Sequence, residues 1–92
     1  MKIKLAINEK KGAFYIEHDH IRVAEMTFSQ AGSDKIIIDH TEVDESLKGK
    51  GIGYRLVEEA VYYARENQIK IIPLYIILIE YFIHLLAYLI AI

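Results

Sequence analysis

The spacing of the apolar residues changes once along this 92-residue chain, and that change constrains the fold more than any other feature. After residue 51 apolar residues recur every three or four positions, which predicts a helix over 51–67. Before residue 43 they mostly alternate with polar ones, which predicts strands over 2–7, 13–18 and 21–29, and an apolar run at 36–38, typical of a central strand, predicts a fourth strand over 35–42. A strand over 69–74 and a last helix over 76–92 follow. The sequence therefore predicts an α+β fold (mixed α/β), with antiparallel strands followed by helix–strand–helix.

Breaks in these patterns predict where the elements end. Polar residues and glycine mark turns over 8–12, 19–20 and 31–34. Asn67 is a candidate for the left-handed residue that stops the helix. Pro73 has no N–H to donate, so we expect it at the end or the edge of its strand.

Composition narrows the class of protein. A chain of 92 residues with 53% hydrophobic residues can form one domain over 1–92 with a single core. A net charge of −2 argues against a nucleic-acid partner, which would need a basic face. The chain has no cysteine, which excludes disulfides and thiolate metal sites. The charged start of the chain lacks the apolar run of a secretion signal, and we expect a cytoplasmic protein.

A glycine-rich turn lies directly before the predicted helix. Glycines at 49, 51 and 53 let the backbone approach a ligand closely, and Lys48, Lys50 and Arg55 add positive charge. The first N–H groups of a helix have no partners within it, so such a turn predicts an anion cradle suited to a diphosphate. The alternative is a plain strand-to-helix connection. The P-loop spacing is not met, and a Rossmann turn would follow the first strand of a βαβ unit.

Residues 36–74, IIIDHTEVDESLKGKGIGYRLVEEAVYYARENQIKIIPL, closely resemble the small single-domain, YjdJ-like branch of the GNAT N-acetyltransferases. Lys48, Gly51 and Gly53 match the phosphate turn of that superfamily, with lysine in place of the usual glutamine or arginine. The resemblance implies a GNAT-like acyl-CoA N-acyltransferase fold of a mixed sheet and two helices. It also implies acetyl-CoA as cofactor and a small-molecule or peptide amine as acceptor.

The same resemblance implies the site residues. The end of the fourth strand would lie beside the pantetheine arm of CoA, and the glycine turn would hold its phosphates. The implied cofactor-binding residues are Thr41, Glu42, Val43, Lys48, Gly49, Lys50, Gly51, Ile52, Gly53, Tyr54 and Arg55.

Two residues are candidates for catalysis. His40 suits a general base, although a structural histidine or one lining the pantetheine is the alternative. Alternation along the strand predicts that Asp39 points to the opposite face and pairs structurally. Tyr75 stands where related proteins often have a catalytic cysteine. Its hydroxyl could protonate the departing thiolate, or it could be a wall aromatic. The histidines flanking Asp19 are better read as a solvated turn, and we predict no metal site.

The stretch 71–92 is unusually apolar: it has one carboxylate, Glu80, one histidine, His84, and no lysine or arginine. One explanation is a packed helix over 76–92 that forms a homo-oligomer, and a second is an error in this part of the recorded sequence. The third is a membrane anchor, which would place Glu80 in lipid at a cost of about 2.5–3.5 kcal/mol. Two alternative functions therefore remain: a CoA-binding module without catalysis, and an assembly or membrane-associated protein that acts through this helix.

Overall fold

The computed structural model describes residues 2–73. One five-stranded sheet has its strands in sequence order, and neighbouring strands are antiparallel except for the last pair, which is parallel. The predicted order of elements is confirmed over these residues, whereas Tyr75 and the predicted helix 76–92 lie outside them. The strands are β1 (Lys4–Asn8), β2 (Lys11–His18), β3 (Ile21–Gln30), β4 (Lys35–Val43) and β5 (Lys70–Pro73), and a short 3-10 helix (Glu45–Leu47) and α1 (Ile52–Asn67) stand between the last two.

Helix α1 covers one face of the sheet through the apolar stripe that the sequence predicts. Phe28 and Met26 of β3 and Ile36 and Ile38 of β4 are fully buried beneath it. Burying a side chain of this size contributes about 1.5–3 kcal/mol, so this layer supplies most of the stabilising contacts. The opposite face, here called the outer face, is not covered by any element within residues 2–73. The buried residues of α1 are Ile52, Leu56, Val57, Ala60, Val61 and Ala64.

Two predicted boundaries are wrong for physical reasons. The first turn consists of Glu9 and Lys10 alone, and Gly12 lies inside β2 opposite Phe28. A Cβ at Gly12 would overlap the Phe28 ring, so packing and not turn geometry explains this glycine. The left-handed residue that ends α1 is Gln68, whose N–H bonds to the Ala64 carbonyl. Pro73 is the last residue of β5 that the structure describes, so its position at the end or the edge of the strand stays a prediction.

A β-bulge at Asp39 changes which side chains of β4 face which way. Phe28 pairs with Ile38 and Thr27 pairs with His40, so Asp39 is an extra residue in β4. Cross-strand partners share a face, so His40 points to the outer face beside Thr27. Asp39 is there too, because its carboxylate accepts a hydrogen bond from the outer-face Ser29 hydroxyl at 2.7 Å. The structural pairing of Asp39 is confirmed, and the prediction that it faces away from His40 is wrong.

Candidate functional site

The glycine turn presents open backbone N–H groups at the start of α1. Gly49 and Gly51 have φ angles of 80° and 71°, in the left-handed region that glycine tolerates. Gly51 is the N-cap residue, and no side chain caps the helix. Within the described part of the chain, no acceptor takes the N–H of Gly51, Ile52 or Gly53. A Cβ at Gly49 or Gly51 would meet no atom within 4 Å, so the turn is open to a ligand.

The cations beside this turn are not equally available. Lys48 Nζ lies 2.9 Å from Glu45 Oε2, and both side chains are exposed. The hydrogen bond to Glu45, together with its negative charge, raises the pKa of Lys48. Lys50 is exposed and forms no ion pair with any residue between 2 and 73. An incoming anion would therefore meet Lys50 directly and would compete with Glu45 for Lys48.

The short 3-10 helix fixes how the chain leaves β4 for the turn. The Asp44 carboxylate accepts hydrogen bonds from the Ser46 hydroxyl and from the Ser46 N–H, the latter at 3.1 Å. These bonds, the hydroxyl first, lower the pKa of Asp44. The Asp44 N–H in turn bonds to the Val23 carbonyl at 2.8 Å. The hydrogen bond of Asp44 thus anchors the segment before the glycine turn to β3, and the turn itself continues directly into α1.

The end of β4 carries a buried hydroxyl without a partner. Because of the bulge, Thr41 pairs with Met26 and points to the α1 side of the sheet. Thr41 Oγ1 is buried and makes no hydrogen bond within residues 2–73. Such a group normally has a partner, and a ligand lying along this end of β4 would supply one.

His40 and Glu42 form a pair on the outer face. His40 Nε2 lies 3.1 Å from Glu42 Oε2, with side-chain exposures of 52% and 73%. The carboxylate can orient the ring, and a neutral imidazole can accept a proton from an amine. Sequence reasoning missed Glu42 as the partner of His40, although an i,i+2 spacing on a strand places two side chains on one face.

The other residues singled out in the sequence lie away from this site or outside the described residues. His18 and Asp19 approach to 3.4 Å at the β2–β3 turn, and both are largely exposed. Across the part of the chain that the structure describes, no three His, Cys, Asp or Glu side chains form a metal-ligand group. No helix between residues 2 and 73 has the length and apolar character needed to cross a membrane. Tyr75 lies outside the described residues.

Comparisons with known proteins give one family match and several structural likenesses. The family model described as GCN5-related N-acetyl-transferase matches residues 13–82. A GCN5-like candidate N-acetyltransferase from Staphylococcus aureus, known from its NMR solution structure, is 32% identical with a TM-score of 0.56. That alignment covers 80% of this chain and 72% of the Staphylococcus chain. No curated protein sequence matches this chain.

Two further solved structures are similar in fold. The ribosomal-protein-alanine N-acetyltransferase from Brucella melitensis biovar Abortus is 22% identical with a TM-score of 0.62, over 72% of this chain and 53% of its own. The IAA acetyltransferase from Bacillus cereus is 22% identical with a TM-score of 0.52, over 63% of this chain and 39% of its own. The chain thus spans only about half of the Brucella protein and less of the Bacillus protein. These likenesses confirm the α+β fold predicted from the sequence.

Proposed function

The chain belongs to the GCN5-related N-acetyltransferase family, and from that premise we propose that it transfers an acetyl group from acetyl-CoA to an amine. The acceptor would be a small-molecule or peptide amine. The observation that carries this proposal is the open glycine turn at the start of α1, where three consecutive N–H groups lack acceptors within residues 2–73. The proposal extends to the YjdJ-like branch of the family, to one domain over 1–92 and to a cytoplasmic protein.

Acetyl-CoA fits the residues that surround this turn. The N–H groups of Gly51, Ile52 and Gly53 would bind the diphosphate, helped by the positive end of the α1 dipole. Thr41 Oγ1, buried and without a partner in the described part of the chain, would hydrogen-bond to an amide of the pantetheine arm. The backbone of Glu42 and Val43 would continue this contact toward the thioester. The other proposed cofactor contacts are Lys48, Gly49, Lys50, Tyr54 and Arg55.

The chemistry needs a deprotonated amine placed against the acyl carbon. Bound acetyl-CoA supplies a thioester whose carbonyl carbon accepts the nitrogen lone pair, and the C–S electron pair leaves on sulfur. His40 would take the proton that the amine loses, while Glu42 holds the imidazole in orientation. Tyr75 is the proposed donor of the proton that the departing sulfur needs. The products would be an amide and the free thiol, and proton exchange with solvent would return the His40 imidazolium and the Tyr75 phenolate to their starting states.

The two faces of β4 suggest how the reactants would be separated. Thr41 points to the α1 side, whereas His40 and Glu42 point to the outer face. The cofactor would therefore run along the end of β4 on the side of α1, and the acceptor would approach from the outer face. Holding the amine against the thioester carbon is the main contribution that positioning makes to this kind of reaction.

Calorimetric titration with acetyl-CoA, followed by a thiol-release assay against polyamines, amino acids and peptides, tests the proposal. We expect micromolar binding and turnover with at least one amine. His40→Gln should lower kcat by about 10²–10⁴-fold and leave acetyl-CoA affinity unchanged. His18→Gln, at an exposed strand end, is the matched control and should retain full activity. Absence of heat at millimolar acetyl-CoA would refute the proposal, and binding without turnover would instead assign a CoA-holding module.

A further inference from the structure

The outer face contains a shallow basin that the proposed cofactor site does not use. Its volume is about 350 Å³, within the range of small-ligand sites. Ala6, Ala13 and Thr27 form its floor as cross-strand partners on β1, β2 and β3. The next residue across the sheet is His40 of β4, the partner of Thr27. The proposed catalytic base, His40, therefore lies next to the basin.

One end of the basin has an arginine without an anionic partner. The Arg22 guanidinium carbon lies 4.1 Å from the centroid of the Tyr15 ring, a stacked cation–π contact. Glu17, the cross-strand partner of Arg22, bonds instead to Lys4 at 3.2 Å. No carboxylate within residues 2–73 pairs with Arg22, so its planar row of N–H donors stays available. A guanidinium held flat in this way is suited to a carboxylate of a ligand.

The other end of the basin carries a carboxylate beside a lysine ammonium group. Asp39 lines it, fixed by the Ser29 hydroxyl at 2.7 Å and by Lys11 Nζ at 3.8 Å. His40 follows Asp39 in the chain on the same face, with Glu42 at 3.1 Å. Two carboxylates, Asp39 and Glu42, thus stand against the one ammonium group of Lys11, which leaves an excess of negative charge for a ligand ammonium beside His40. The basin offers a guanidinium without an anionic partner at one end and this excess of carboxylate charge at the other, with a floor of small residues between them.

We propose that this basin binds the acceptor, and that the acceptor is a small primary amine that also carries a carboxylate. The inference rests on the proposed acetyl transfer. Arg22 lies over Tyr15 of β2, and His40 of β4 is two strands across and two residues along the sheet from Tyr15, so these two backbone positions are roughly 12 Å apart. The groups that would bind the two ends of a ligand are therefore carried by well-separated positions. Such separation suits an amino acid whose nitrogen is several bonds from its carboxylate, such as β-alanine or γ-aminobutyrate.

A titration of isotope-labelled protein with γ-aminobutyrate, butylamine or butyrate tests the basin without acetyl-CoA. We expect the amides of Ala13, Arg22 and Thr27 to shift, and γ-aminobutyrate to bind about tenfold more tightly than either compound with one charge. Arg22→Gln should abolish that preference and Arg22→Lys should restore part of it. Arg65→Gln, on the last turn of α1, is the control and should leave it unchanged.

The kinetic readout separates this inference from the proposed function. In Arg22→Gln, KM for γ-aminobutyrate should rise about tenfold or more, while KM for butylamine and acetyl-CoA affinity stay constant. If KM for both amines changes equally, or if γ-aminobutyrate shifts other residues, the inference is wrong and acetyl transfer can still stand. If the basin residues shift as expected but acetyl-CoA fails to bind, the proposed function falls and the amino-acid site remains.

Discussion

The substitution Gly51→Ala separates the backbone conformation of this glycine from its place in the proposed diphosphate site. Gly51 has a φ of 71°, and a Cβ there would meet no atom within 4 Å. The destabilisation should therefore be left-handed strain alone, about 1–2 kcal/mol. For a chain of this size each kcal/mol lowers Tm by about 4–8 °C. In acetyl-CoA binding the added methyl should hinder close approach to the N–H groups, and the affinity should fall about tenfold or more.

Gly32→Ala is the matched control for this experiment. Gly32 has a φ of 80° in the β3–β4 turn, and its nearest neighbour to a Cβ is an Asp34 oxygen at 4.0 Å. It should show the same loss of Tm by circular dichroism as Gly51→Ala. Calorimetry should show that only Gly51→Ala binds acetyl-CoA more weakly. Equal affinities in the two variants would refute the reasoning that places the diphosphate on this turn.

Three further predictions concern packing and the entrance to the turn. Gly12→Ala forces its methyl against the Phe28 ring and should lower the free energy of unfolding by about 1–3 kcal/mol in denaturant titrations; an unchanged value would contradict the packing described here. Glu45→Gln should return the pKa of Lys48 toward its ordinary value and tighten acetyl-CoA binding at low salt; calorimetry showing unchanged affinity would mean that the pair does not compete with phosphate. The lowered pKa of Asp44 implies a stabilisation that is complete above the ordinary carboxylate pKa and is lost as pH falls through the lowered value. Asp44→Asn should therefore flatten the acid limb of the curve of Tm against pH. At neutral pH the curve of the variant should run parallel to that of the parent.

Local patterns in the sequence were sufficient for most of the secondary structure. The apolar stripe of α1 depends on spacing within one helix, and the predicted residues Leu56 and Ala60 are buried as expected. The open turn followed from three glycines next to a helix start. Each of these predictions uses neighbours within a few residues, where local sequence and structure agree.

Long-range pairing explains the errors. Gly12 is needed because Phe28, sixteen positions later in the chain, places its ring against it, and no turn rule contains that information. The bulge at Asp39 adds a residue in β4 only relative to β3, so a period-two pattern within β4 cannot reveal it. Its effect on the site is large, because it turns His40 to the outer face and Thr41 to the α1 side.

The sequence alone could not predict the basin, because the basin too depends on long-range strand pairing. Ala6, Ala13 and Thr27 carry no signal along the chain and form the floor of the basin only when the registers of two strand pairs are combined. The availability of Arg22 likewise depends on Glu17 bonding to Lys4. Residue types can suggest chemistry, but strand register decides which of them meet.

The backbone at the start of α1 is the proposed binding site for the diphosphate of acyl-CoA. Titration of isotope-labelled protein with CoA, followed through the amide resonances, tests it most directly. We expect the largest shifts at the amides of Gly51, Ile52 and Gly53, and no shift at the amides of β1 and of the β2–β3 turn. Amides of the glycine turn that stay unchanged at millimolar CoA, or shifts centred on another part of the chain, would contradict it.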